Sequence, residues 1–118
     1  MFRFERLLVW QKAVTLYDLA DQAADGFPQR MQFSVADQLR RAALSVSSNI
    51  AEGSGRETAK ECKYFFTVAR SSAFEVVSIM TICQCRGLVA PEQHHDVYGL
   101  AEEISKMLSA LKRKKEQE

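Results

Sequence analysis

Apolar residues return every three or four positions in four separate stretches of this chain, and no stretch alternates with a period of two. An α-helix carries 3.6 residues per turn, so this spacing gathers apolar side chains on one face, whereas a half-buried strand needs strict alternation. The pattern predicts an all-α protein. Val9, Ala13, Leu16 and Ala20 set the period in the first stretch, and Leu39, Ala43, Val46 and Ile50 in the second. Cys62, Phe65, Phe66, Ala69, Ala73, Val76, Val77, Met80 and Cys83 carry the third, and Val97, Leu100, Ala101, Ile104, Met107, Leu108 and Leu111 the fourth. Helices are expected over about 7–24, 34–53, 58–86 and 91–113 of a single domain covering 1–118.

Local signals bound these segments. Gly26-Phe27-Pro28 should stop the first helix, with Gly26 in a left-handed cap and Phe27 pushed out of helical geometry by the proline. Ser34 with Asp37, and Thr58 with Glu61, read as capping boxes for the second and third helices. Gly87 should close the third helix and Pro91 open the fourth. The basic run Lys112–Lys115 suits a helix C-terminus and is expected to fray beyond it. Connections of a few residues make each helix antiparallel to the next, which gives an up-down-up-down four-helix bundle.

Composition narrows the function. With 47% hydrophobic and 26% charged residues the chain should fold, and a net charge of +1 denies it the overall basicity of a dedicated nucleic-acid binder. No continuous apolar run approaches about 18 residues, so a cytoplasmic protein without a membrane role is expected. Three cysteines, an odd number, suggest reduced thiols. Cys83, Cys85, His94 and His95 do not have the spacing of a structural zinc site, so no metal or cofactor is expected. GxSxG, HExxH, GxxxxGK[ST] and ExxH patterns are absent, which points away from an enzyme.

Two groups of residues exceed what one bundle needs. Leu44, Tyr64, Phe74 and Ile82 fall outside the core-facing arcs of their helices, as expected of contacts with another subunit. A small polar stripe, Gln38, Ala42, Ser45, Asn49 and Glu52, allows close helix approach, a subunit contact or a solvated flank. The chain is also locally polarised. Between Arg30 and Arg70 stand seven basic residues against four acidic, and Lys60, Lys63 and Arg70 share one side of the third helix behind Arg56. Such a row could contact successive phosphates, although charge on a helix is more often its solvated face. Gly53-Ser54-Gly55 could turn its amides toward a phosphate, but reads more readily as a turn in which Gly53 caps the second helix.

Several segments together resemble one family. They are Leu8-Val9-Trp10-Gln11-Lys12-Ala13, Phe27-Pro28, and the run from Gln38 through Val46 into Ser48-Asn49-Ile50-Ala51-Glu52-Gly53, followed by Arg56. In these the chain resembles, end to end, the bacterial four-helix-bundle proteins encoded in intervening sequences of large-subunit ribosomal RNA genes, a family that includes accessory variability determinants of diversity-generating retroelements. The resemblance implies a homopentamer of five bundles around a pore, with basic surfaces that in the retroelement branch bind nucleic acid and a reverse transcriptase. Its motif positions fall on Arg40, Arg41, Asn49, Glu52, Gly53 and Arg56. Ser47 departs from the pattern, which often has proline there.

The expected protein is a non-catalytic homo-oligomer that binds RNA or DNA backbone through Arg40, Arg41, Arg56, Lys60, Lys63 and Arg70. Leu44, Asn49, Tyr64, Phe74 and Ile82 are the expected subunit contacts. The alternative is a protein-interaction scaffold that uses the polar stripe and binds no nucleic acid.

Overall fold

A computed structural model describes residues 1–117. Four helices, α1 (Leu8–Asp25), α2 (Val35–Ser54), α3 (Ala59–Cys85) and α4 (Pro91–Glu116), form a bundle 47 Å long and about 22 Å across. Short 3-10 turns at Arg3–Arg6 and Gln29–Met31 precede α1 and α2, and there is no strand among the described residues. Packing runs around a closed square, α1 on α2, α2 on α3, α3 on α4 and α4 on α1. This is the antiparallel bundle that the helical period and the short connections require.

The core is layered along the axis by one apolar face from each helix. Val9, Leu16, Leu39, Val46, Ile50, Val76, Met80, Val97, Ile104 and Leu108 belong to one cluster, all essentially inaccessible to solvent. Alanines at Ala13, Ala20, Ala43, Ala69, Ala73 and Ala101 keep the helices close enough for these larger side chains to interlock. By length and a mean hydropathy of 1.3, α3 could cross a membrane, a property that counting continuous apolar runs overlooked. Here its apolar stripe packs on its neighbours.

Some caps follow local rules and others yield to packing. Gly87 has the expected positive φ of 74°, and Leu88 N–H donates to the Cys83 carbonyl at 2.9 Å, closing α3. Thr58 Oγ1 accepts the Glu61 N–H at 3.2 Å, and Pro91 occupies the first turn of α4. Gly26, by contrast, stays right-handed at φ −80°. The first helix ends instead because Phe27 is buried and Gln32 Nε2 donates to the Ala24 and Phe27 carbonyls at 2.9 and 3.0 Å. The Ser34–Asp37 capping box does not form: Ser34 Oγ donates to the Met31 carbonyl, and Asp37 accepts from Arg41. The fourth helix continues to Glu116, three residues beyond its expected end at 113.

Gly53 is the most consequential correction. It does not cap α2, which runs on to Ser54 with Gly55 as its right-handed cap. It is buried where α2 crosses α3, and a methyl group there would lie 2.9 Å from Phe66 Cε1 and 3.0 Å from Phe65 Cβ. The glycine is needed for close approach. Ser47, at the departure from the family pattern, lies within unbroken helix and its hydroxyl donates to the Leu44 carbonyl at 3.0 Å.

Two glycine substitutions test this distinction. Gly99 is exposed within α4, and a methyl group placed on it would meet no neighbour within 4 Å, so Gly99→Ala should stabilise by about 0.5–1 kcal/mol through helix propensity. Gly53→Ala gains the same propensity but is expected to lose about 1–2 kcal/mol net to overpacking. Urea denaturation midpoints moving in opposite directions would verify both.

Candidate nucleic-acid interface

Alternating helix direction brings the start of α1, the end of α2, the start of α3 and the end of α4 to one end of the bundle. Segments 1–7, 51–63 and 110–116 meet there, carrying nine basic and five acidic side chains. At the other end, segments 18–41 and 84–96 carry six acidic and four basic ones. The ends are separated by most of the 47 Å length, several times the roughly 10 Å screening length at 0.1 M salt. Each end therefore presents its own field, and the total of +1 conceals two opposite poles.

The basic end contains a crevice of about 170 Å³, lined by Arg3, Arg56, Lys114 and Lys115 above Cys62 and Phe66. Arg3 Nη1 donates to the Ser54 carbonyl at 3.4 Å, which draws the N-terminal turn over the end of α2. Arg56 is held by Glu52 at 2.8 Å, and its guanidinium carbon lies 4.7 Å from the centre of the Phe65 ring. Beside the crevice is an open hollow of about 560 Å³ bordered by Phe2, Phe4, Arg3 and Arg56. Phe2 stacks on Phe4, which meets Trp10 edge-on at 5.0 Å. Cations interleaved with exposed rings suit phosphates and bases together.

The six expected phosphate contacts separate into groups. Arg56, Lys60 and Lys63 stand at the basic end, with Lys63 paired to Glu116 at 3.2 Å. Arg70 lies farther along α3, facing α4, with its guanidinium 4.6 Å from the Phe74 ring centre. Arg40 is about 24 Å back along α2 from Arg56. It donates to Asp21 and Asp25, each at 2.7 Å, and to Gln32 at 3.1 Å, which ties α2 to α1. The Asp21 hydrogen bond raises its pKa, opposed in part by burial. Arg41 pairs with Asp37 along the helix surface.

Arg3, Lys114 and Lys115 are not among the expected contacts, because only the topology brings residues from the two termini beside Arg56. The glycine turn supplies no phosphate nest: Gly53 and Ser54 are helical, and the Gly55 and Arg56 amides donate to the Glu52 and Gly53 carbonyls.

The polar stripe of α2 is a seam within the bundle. Gln38 donates to Glu75 at 3.2 Å, Ser45 bonds Ser72 at 2.8 Å, and Asn49 donates to the Ser45 carbonyl at 2.8 Å. Leu44, Tyr64, Phe74 and Ile82 are each more than half exposed. The cysteines form no disulfide among the described residues, with Cys62 and Cys83 buried and Cys85 exposed, and burial pushes the Cys83 thiol pKa up. His94 Nε2 lies 2.9 Å from Thr81 Oγ1.

Replacing Arg40 should therefore act on stability rather than binding. Arg40→Ala is expected to cost about 1 kcal/mol by releasing two aspartates from a partly buried pair, and Arg41→Ala less than about 0.5 kcal/mol. Urea titration with a parallel phosphate-binding assay checks both.

Among known families, residues 5–110 match a model described as 23S rRNA-intervening sequence protein. No curated protein matches the chain.

Proposed function

The chain belongs to the 23S rRNA-intervening sequence protein family, and from that premise we propose a non-catalytic, self-assembling bundle that holds nucleic-acid backbone at its basic end. The observation that carries this reading is the convergence of Arg3, Arg56, Lys114 and Lys115 on one crevice. Four cations drawn from three separate parts of the chain make a focused positive surface. The family's description is compatible with association with RNA. A protein scaffold acting through the polar stripe is less well supported, because Gln38 and Ser45 of that stripe are engaged by α3.

Self-assembly would multiply this surface. Tyr64 and Ile82 are eighteen residues, five full turns, apart on one line of α3, and Leu44 adds an apolar site on α2. Two separate patches per copy suit a heterologous, ring-forming contact, and the pentamer implied by the family resemblance is our assignment. Repetition of the basic end around such a ring gives avidity that one copy lacks. An RNA or a reverse transcriptase is the partner class this reading favours, with RNA backbone contact as its primary form.

Binding to a short DNA duplex and to an RNA hairpin, followed from about 50 to 200 mM salt, tests the backbone reading. Four phosphate contacts should weaken duplex affinity about 100-fold over that range. Arg3→Glu with Arg56→Glu should abolish retention, and retention unchanged by that pair would sink the assignment. Light scattering tests assembly: Tyr64→Glu with Ile82→Glu should reduce particle mass to that of smaller species, and an unchanged mass would place the contacts elsewhere.

A further inference from the structure

A groove of about 630 Å³ opens between α3 and α4, bordered by Arg70, Phe74, Tyr98, Lys106 and Arg113 over a floor of Val77 and Ala101. It starts at Arg113, next to the crevice residue Lys114, and extends to Tyr98, about 22 Å along α4. The groove thus continues from the basic end along the side of the bundle. Its volume is in the range of pockets that hold small organic ligands.

Its chemistry is mixed in an uncommon way. Phe74 and Tyr98 on its border are 53% and 48% exposed. Arg70, Lys106 and Arg113 form no ion pair among the described residues, whereas Glu102 is the one carboxylate on the lining. The Arg70 guanidinium lies against the Phe74 ring, and its Nε is buried without a hydrogen-bond partner. An unmatched buried donor is costly, and covering three unpaired cations with another subunit would add a desolvation penalty. A polyanion that also carries flat rings meets both needs.

We infer that this groove takes single-stranded nucleic acid, with bases stacked on Phe74 and Tyr98 and phosphates held by Arg70, Lys106 and Arg113. The inference rests on the backbone reading above and specifies which nucleic acid the protein prefers. Duplex bases are already stacked and cannot use the two rings, whereas unpaired bases can. A strand whose backbone is held at the crevice continues into the groove without reversing direction.

The test uses the full chain, a fluorescent single-stranded oligoribonucleotide of mixed sequence and its matching duplex, compared by anisotropy at low salt. Tyr98→Ala and Phe74→Leu should each weaken single-strand binding about tenfold and leave duplex binding unchanged. Phe74→Leu retains apolar bulk, and circular dichroism confirms that each variant is folded. Arg113→Gln should reduce the salt slope for the single strand by about 0.7. Single-strand affinity equal to the parent's in both ring variants overturns the inference. So does a loss of affinity accompanied by a fall in particle mass, which would make the groove a subunit contact. If the parent retains duplex but no single strand, the groove assignment fails and the backbone reading stands; if it retains neither, both fall.

Discussion

Four residues cannot span a helix. The α2–α3 connection, 55–58, and the five-residue α3–α4 connection, 86–90, reach at most about 18 Å when extended, whereas α3 alone is about 40 Å long. α3 must therefore return alongside α2, and α4 alongside α3, while the longer link 26–34 is folded back by the buried Phe27 and the bonds from Gln32. That constraint fixes the antiparallel bundle, and it also decides which ends meet. The N-terminal turn, the α2–α3 turn and the basic tail of α4 gather at one end once these links have set the direction of each helix.

The close contact between α2 and α3 gives this arrangement its precision. Gly53 lets the helices approach at Phe65 and Phe66, while Ser45 and Ser72 join them midway and Gln38 and Glu75 farther along. Small and polar side chains in this seam leave the large apolar residues to the central core. Arg56, one turn past Gly53, is consequently held against Phe65 rather than left to sample solvent. Packing in the interior thus positions charge at the surface.

The helices were legible because their period depends only on local spacing, and Gly87, Thr58 and Pro91 behaved as local rules require. Gly26 did not, since the buried Phe27 and the bonds from Gln32 supply what a C-cap would have supplied, and Ser34 did not, since its hydroxyl donates to the Met31 carbonyl. Arg40 looked like its neighbour Arg41 in sequence, yet one is locked between two aspartates of α1 and the other lies on the surface. No spacing rule carries that distinction, which depends on which helix lies opposite. The charge polarity was visible only in part: Arg56, Lys60 and Lys63 are close in sequence, but Arg3 and Lys114 reach them through the fold alone.

The three thiols differ sharply in access although two of them are separated by a single residue. Cys62 and Cys83 are enclosed, and burial raises the Cys83 thiol pKa, whereas Cys85 faces solvent at the end of α3 remote from the cationic crevice. Thiolate chemistry therefore selects one position. A maleimide dye placed at Cys85 would stand about 30–35 Å from the crevice along the helix, a native attachment point for optical reporters that leaves the opposite pole bare.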